Sequence, residues 1–169
     1  MADDFAFSVI RDKPSHRVYC QAGSGFSLAV RDDEVILASN DAYDPYQQWV
    51  KDETYSMTVM DEKGNPSFAL INKATGQALQ HAFGDSHPVR VKPWNPDEMD
   101  YSILWTQSED MGGNFRTIRM VNDITLNIDA LHGNVEDPQG ICDGTTIVLW
   151  QWNHGGNQLW RIDRTGGGY

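Results

Sequence analysis

The chain of 169 residues has few of the features that mark membrane or disulfide-stabilised proteins. Its two cysteines, Cys20 and Cys142, are too few for a disulfide framework. No apolar run approaches the roughly 18 residues of a membrane-spanning helix. Residues 1–5 lack the basic and apolar regions of a signal peptide, and the proline at 66 excludes Asn65 as a glycosylation sequon. Together these absences predict an intracellular, reducing compartment and free thiols.

Basic residues are also scarce. The sequence holds 13 Lys and Arg against 24 Asp and Glu, for a net charge of −11. Binding to nucleic acid needs clustered cations to neutralise phosphates, and docking on an anionic membrane needs them as well. We therefore expect neither partner, and small neutral ligands or proteins remain.

Sequence signatures of catalysis are missing too. There is no Gly-x-Ser-x-Gly elbow and no phosphate-binding Gly-x-x-x-x-Gly-Lys loop. The five histidines are scattered and form no metal-binding pattern, so we expect no metal and no cofactor. A glycosidase needs one pair of carboxylates at a defined separation. With 24 acidic residues in the chain, chance pairs are certain, and the sequence does not single out a catalytic one. A metal or nucleophilic site of Cys142 with His132 is a minor alternative, and we predict a protein that is not an enzyme.

Short alternating apolar runs dominate the sequence that is present. Residues 26–30, 55–59 and 116–120 alternate with period two, as half-buried strands do. Clusters of Gly, Asn, Asp and Pro separate such runs, and no segment of about 12 residues shows helical periodicity. The chain is therefore predicted to be all-β.

Three similar phrases end in tryptophan: residues 46–49, 102–105 and 157–160. Trp49, Trp105 and Trp160 lie 56 and 55 residues apart, and such a period indicates structural repeats that pack on one another. Three units of four strands predict a β-trefoil, with one tryptophan of each unit in the core. We place the trefoil at 16–163, with repeats near 16–65, 66–113 and 114–163. Residues 1–15 are predicted to be a leader packed on or near it, and 164–169 a flexible tail.

The third repeat carries a combination of polar and aromatic side chains suited to a sugar. A sugar presents hydroxyl edges and an apolar C–H face, so its binding calls for a carboxylate, an aromatic ring and an amide. Asp129, Trp150 and Asn157 supply these groups. Singly, each has an ordinary structural explanation as a turn or core residue; together they favour a binding site.

The same stretch is similar to one repeat of the ricin-B-type lectins, which end in Gln-x-Trp. More closely, residues 7–162 resemble the Euonymus-lectin family of plants. The phrases that carry this likeness are residues 7–14 (FSVIRDKP), 68–76 (FALINKATG), 116–122 (RTIRMVN) and 143–150 (DGTTIVLW). The resemblance implies a β-trefoil module that binds mannose- or galactose-containing glycans, located in the cytoplasm and nucleus and often linked to stress.

The resemblance also assigns roles to individual residues. Asp129 matches the hydroxyl-binding aspartate and Trp150 the stacking aromatic. Asn157 matches the amide that contacts the sugar, and Gln158 the glutamine that supports the aspartate. One departure is Val148, where the ricin-type pattern often has a polar glutamine. The loop residues His132 and Asn134 are candidates to replace that hydrogen bond.

The other two repeats lack the full set. Alignment of residues 28–31 with 126–129 places Arg31 at the position of Asp129. In the second repeat, His81 falls near the aspartate and Lys92 near the stacking aromatic. Residues 102–103, Ser-Ile, replace the amide pair. We therefore predict one principal sugar site, in the third repeat.

The sequence thus predicts a non-catalytic lectin whose partners are glycans, with glycoproteins as candidate carriers. A trefoil that acts as an intracellular protein–protein interaction module in stress signalling is the alternative. The sequence leaves a homodimer open.

Overall fold

The structure, a computed structural model, describes residues 4–131 and 140–165. Within these ranges the chain forms one short α-helix, α1 (Asp4–Ile10), and twelve β-strands. The strands are β1 (His16–Cys20), β2 (Gly23–Arg31), β3 (Glu34–Ser39), β4 (Trp49–Asp52), β5 (Ala69–Asn72), β6 (Gln77–Gln80), β7 (Arg90–Pro93), β8 (Trp105–Gln107), β9 (Ile118–Met120), β10 (Asp123–Ala130), β11 (Ile147–Gln151) and β12 (Trp160–Arg164). This content confirms the all-β prediction. No helix in the described ranges has the length and apolar character needed to cross a membrane.

The strands fall into three units of four, β1–β4, β5–β8 and β9–β12. Antiparallel ladders join the last strand of each unit to the first strand of the next: β4 to β5, β8 to β9, and β12 back to β1. Single bridges join the start of each unit to its last strand: β1 to β4, Phe68 just before β5 to β8, and Arg116 just before β9 to β12. These pairings close six strands into a ring, and the two middle strands of each unit form a hairpin. The architecture is the predicted β-trefoil, and closure leaves few strand edges exposed.

The repeated tryptophans occupy the centre of this structure. Trp49, Trp105 and Trp160 are each fully buried in one cluster of apolar side chains. A short 3-10 helix precedes each of them, and each indole N–H donates to a strand carbonyl of its own repeat. The acceptors are the carbonyl oxygens of Leu28, Leu79 and Ile128, at 2.9, 3.0 and 3.0 Å. The predicted core role of the tryptophans is confirmed.

The segment before β1 forms α1, which packs on the outside of the barrel. Ala6 and Ile10 are buried in a second apolar cluster that also contains Ile71 and Trp94. At the other end, β12 runs to Arg164, where the notional tail was expected to begin, and the next amide donates to the carbonyl of residue 15 at 2.9 Å. Residues 166–169, most of that tail, lie outside the described residues.

Candidate functional site

The third hairpin, β10–β11, presents the candidate residues on one face. Asn127 pairs with Trp150 across the hairpin, and Asp129 pairs with Val148. Because alternate residues of a strand point to the same side, these four side chains share the outer face, and the residues between them face the core. The fold therefore brings Asp129 and Trp150 together as diagonal neighbours.

The Asp129 carboxylate is held by the two amides that precede Trp160. Asn157 donates from Nδ2 to Oδ1 at 3.1 Å, and Gln158 donates from Nε2 to Oδ2 at 2.9 Å. The aspartate exposes only 3 % of its surface. Buried carboxylates need such donors, because an uncompensated charge inside a protein is costly. The predicted neighbours of Asp129 are thus in contact with it.

The two amides differ in what they leave for a ligand. Gln158 also donates to the carbonyl of Gln151 at 2.8 Å and accepts from the backbone amide of Asn153 at 2.9 Å, so its hydrogen-bonding groups are occupied. Asn157 donates additionally to the Ala130 carbonyl at 3.1 Å. Its amide protons are therefore engaged, and its oxygen is the group that it can offer.

Trp150 is the solvent-facing part of the arrangement, with 39 % of its surface exposed. Its backbone carbonyl accepts from Asn127 Nδ2 at 3.3 Å, a hydrogen bond that joins β11 to β10 at this position. Val148, the departure from the ricin-type pattern, is 2 % exposed. It places an apolar side chain directly across the hairpin from Asp129.

The two loop candidates, His132 and Asn134, lie outside the described residues. The alternative pairing of Cys142 with His132 therefore rests on Cys142 alone, which is exposed and accepts from the Thr145 hydroxyl at 3.7 Å. Among residues 4–131 and 140–165, no cluster of three His, Cys, Asp or Glu side chains could hold a metal ion.

The structure corrects the alignment of the first repeat. Both the indole bond to Leu28 and the hairpin register place Ala29, rather than Arg31, at the position of Asp129. Ala38 stands at the position of Trp150, and Tyr46 at that of Asn157. A groove of about 250 Å³ remains there, but methyl groups replace the carboxylate and the indole. As predicted, the first repeat lacks the hydroxyl-accepting carboxylate, but the residue that replaces it is Ala29 and not Arg31.

In the second repeat the aspartate position belongs to Gln80, one residue before His81. The register that pairs Ala78 with Lys92 confirms that Lys92 replaces the stacking tryptophan. Gln80 donates to the hydroxyl of Ser102 at 3.0 Å, which reproduces the contact between Asp129 and its amide in neutral form. Lys92 forms an ion pair with Asp100 at 2.6 Å.

His81 itself is a core residue, one place beyond the position of Asp129 near which the sequence placed it. It is 6 % exposed, its Nε2 lies 2.7 Å from the Leu104 carbonyl oxygen, and its ring meets Trp105 edge-on at 4.7 Å. Burial lowers the pKa of this imidazole below its ordinary value. A strand residue one place further along faces the other side of the sheet, which explains the inward direction.

Trp152 is an aromatic neighbour of the site that sequence reasoning did not select. It follows Trp150 by two residues, and its ring lies 4.9 Å from that of His154. The period-two spacing could have indicated that both indoles share the outer face of the hairpin.

Similar proteins identify the family to which this chain belongs. No family model matches the chain. The rice (Oryza sativa subsp. japonica) protein "Ricin B-like lectin R40G3" is 51 % identical over 150 residues, which are 89 % of this chain and 73 % of R40G3. The chain belongs to the ricin B-like lectins.

A second ricin B-like lectin, EULS3 of Arabidopsis thaliana, is 53 % identical over 146 residues, or 86 % of this chain. These relatives are plant proteins, and they confirm the resemblance that the sequence phrases indicated. The chain spans 46 % of EULS3 and 43 % of another rice ricin B-like lectin, R40C1, so it matches less than half the length of these two relatives.

Solved structures agree on the fold of this ricin B-like lectin. The designed threefold-symmetric protein ThreeFoil superposes with a TM-score of 0.68 at 16 % identity, over 88 % of this chain and 97 % of its own. The Macrolepiota procera ricin B-like lectin in complex with lactose gives 0.63 at 18 % identity, over 89 % and 94 %. At such identities the likeness concerns the fold alone.

Proposed function

We propose that this protein is a non-catalytic carbohydrate-binding lectin with one principal sugar site, on the outer face of the third hairpin. The observation that carries the proposal is the contact of the Asp129 carboxylate with Asn157 and Gln158, on the same face as the exposed indole of Trp150. Neither other repeat combines an acid with an aromatic ring at these positions. The family of named lectins to which the chain belongs supports the same function.

Each side chain has a distinct part in this site. Trp150 stacks on the apolar C–H face of a pyranose, Asp129 accepts from sugar hydroxyls, and Asn157 contributes its oxygen as a second acceptor. Gln158, fully buried, positions the carboxylate and does not meet the sugar. Since Asp129 is only 3 % exposed, little of it is open to a hydroxyl, and Trp150, 39 % exposed, provides most of the open surface.

We propose mannose- or galactose-containing glycans as ligands, from the resemblance to the Euonymus lectins. Affinity for a single sugar should be weak, on the order of millimolar to high micromolar, because a monosaccharide buries little surface. One site per chain would make cross-linking of glycans depend on a homodimer, and glycoproteins with several glycans would bind more tightly through multivalency.

The proposal is tested by replacing the exposed indole. Trp150→Ala should lower affinity on a glycan array at least tenfold and leave the unfolding free energy within about 0.5 kcal/mol, because surface substitutions rarely cost more. Tyr43→Ala, which removes a 92 % exposed aromatic from the first repeat, is the matched control and should bind as the unmodified protein does. Equal glycan binding by both variants would place the site elsewhere.

A further variant separates the chemical role of Asp129 from its structural role. Asp129→Asn keeps the volume but removes two acceptor sites, so hydroxyl binding should be lost while the hairpin remains folded. If Asp129→Asn retains its sugar affinity, the carboxylate serves only to bind the side-chain amides of Asn157 and Gln158. If the protein binds no glycan on the array but binds a protein partner, and free sugar does not compete with that binding, the alternative function as a protein–protein interaction module is supported instead.

We also propose residence in the cytoplasm and nucleus, from the resemblance to the Euonymus lectins. The scarce cysteines and the missing sequon agree with an intracellular location. A fluorescent fusion expressed in plant cells should appear in both compartments. Accumulation along the secretory pathway would contradict this.

A further inference from the structure

A second groove adjoins the proposed sugar site on the outer side of β10. It measures about 370 Å³, and we call it the Trp152 groove. Its walls come from the third hairpin and the residues that follow it, from β9 and the residue before it, from the turn that follows β8, and from the loop between β4 and β5. The lining residues include Trp152, Asn127, Thr117, Arg119, Glu62 and Glu109.

Two buried polar atoms in this lining have no hydrogen-bond partner within residues 4–131 and 140–165. They are Nε of Arg119 and the hydroxyl oxygen of Thr117. Arg119 is 7 % exposed and Thr117 4 % exposed, so both side chains are more than nine-tenths buried. Buried N–H and O–H groups are nearly always paired, and two orphans in the wall of one groove call for an occupant that pairs them.

The charges around the groove select the chemistry of that occupant. The Arg119 guanidinium is already matched by the Asp61 carboxylate, 3.1 Å from its Nη2. Glu62 and Glu109 add two negative charges to the lining, against one further cation, Lys63. An anion would gain nothing there. A neutral group rich in hydroxyls can accept from Arg119 Nε and exchange a hydrogen bond with Thr117.

The groove lies beside the strand face that carries Trp150, and Asn127 is the residue that connects them. Asn127 lines the groove, pairs with Trp150 across the hairpin, and precedes Asp129 by two residues on the same face. Two residues of a strand span roughly 6.6 Å, comparable with the length of one sugar residue. The indole of Trp152 supplies an aromatic wall against which a second pyranose ring can lie.

We infer that the Trp152 groove is a second saccharide subsite, which takes the neighbouring neutral sugar of an oligosaccharide whose first sugar lies on Trp150. This inference rests on the proposed lectin function and adds to it the size and charge of the glycan. It predicts a chain that prefers neutral oligosaccharides to single sugars.

Calorimetric titration with matched sugars tests the subsite. The probes are mannose with mannotriose and galactose with galactotriose. Thr117→Val removes a hydroxyl that has no protein partner, so the fold should persist. It should lower trisaccharide affinity about fivefold to tenfold, the worth of one buried hydrogen bond, and leave monosaccharide affinity unchanged. Thr58→Val, at an exposed threonine of the first repeat, is the matched control and should change neither affinity.

Trp152→Ala gives a second, independent measurement and should lower trisaccharide affinity in the same selective way, whereas Trp150→Ala should abolish both affinities. Trisaccharide binding that is undiminished in Thr117→Val and Trp152→Ala would overturn the subsite while the lectin function stands. Tighter binding of a sialylated than of a neutral trisaccharide would overturn its neutral character. If the unmodified protein binds no sugar, the lectin function itself fails.

Discussion

At the scale of the residue, the candidate site depends on amides that satisfy a buried acid. Gln158 has a counterpart in the first repeat, Gln47, which also bridges the end of a strand to the following loop. Gln47 is buried like Gln158, but Ala29 stands at the position of Asp129, and the Gln47 amide donates instead to the Asp44 carboxylate at 3.1 Å. The glutamine is therefore shared by the first and third repeats, the second having Ile103 in its place, and Asp129 is what the third repeat adds to it.

Gly155 is the residue whose smallness the site requires. It precedes the 3-10 helix that carries Asn157, at a position where the other repeats have a capping aspartate, Asp44 or Asp100. A Cβ at Gly155 would collide with Asn157 Oδ1 and approach Asn153 Oδ1 to 2.9 Å. The third repeat thus lacks a side-chain cap and has room for the Asn157 amide.

We predict that Gly155→Ala displaces the Asn157 side chain and lowers sugar affinity about tenfold, with a stability loss near 1 kcal/mol. Titration calorimetry and thermal unfolding measure the two effects. Gly25→Ala is the control, since its added Cβ would meet no atom within 4 Å. Unchanged sugar binding in Gly155→Ala would mean that Asn157 has no part in recognition.

At the scale of the element, each repeat ends in the same device: a 3-10 helix followed by a tryptophan whose indole holds the hairpin strand. The indole fills the core, and its N–H satisfies a carbonyl that would otherwise be buried without a partner. This device is common to all three repeats, whereas Trp150 and Asp129 are not. Repetition therefore marks the core, and departure from it marks the site.

We predict that Trp105→Phe costs about 2–4 kcal/mol of unfolding free energy, because it leaves a cavity and an unpaired carbonyl at Leu79. The equivalent changes at Trp49 and Trp160 should cost similar amounts. Trp150→Phe, at a 39 % exposed position, should cost less than about 0.5 kcal/mol. Urea denaturation measures these unfolding free energies. A loss of less than about 0.5 kcal/mol for Trp105→Phe would contradict its assignment to the core.

At the scale of the whole molecule, one buried carboxylate connects the three repeats. Asp61, near the end of the first, accepts from the Thr106 hydroxyl of the second at 2.7 Å and from Arg119 of the third at 3.1 Å. Backbone amides of Lys63 and Asn65 also donate to it. Burial alone would raise the pKa of Asp61, but the hydrogen bonds, led by that of Thr106, outweigh it and lower the pKa to about 2.

A carboxyl whose pKa is lower in the folded than in the unfolded chain stabilises the fold above its unfolded pKa, near 4. That contribution, about 2 kcal/mol, should disappear as the pH falls from about 4 to about 2. We predict that Asp61→Asn lacks this part of the acid dependence. The variant should also be less stable at pH 7, by about 3 kcal/mol, because Arg119 loses its buried partner.

Chemical denaturation at pH 7, 4 and 2 measures this dependence. Asp97→Asn, at an exposed aspartate, is the control and should follow the unmodified protein at each pH. If Asp61→Asn loses as much stability between pH 4 and 2 as that control does, the buried carboxylate is not responsible for the acid sensitivity.

The sequence by itself determined the trefoil, the tryptophan core and the presence of Asp129, Trp150 and Asn157 in one repeat only. Alternation of apolar residues with period two indicates which face of a strand is buried, and the spacing of the tryptophans by about 55 residues indicates the repeats. Burial of apolar surface is the dominant favourable contribution to folding. The tertiary structure decided that Ala29 rather than Arg31 faces the position of Asp129 and that Asp129 is buried. It also decided that Thr117, Arg119 and Trp152 share a groove. These outcomes depend on the register of the strands and on contacts between segments that are distant in sequence. Hydrogen bonds between strands establish the register, and the residue types of a short segment do not determine it.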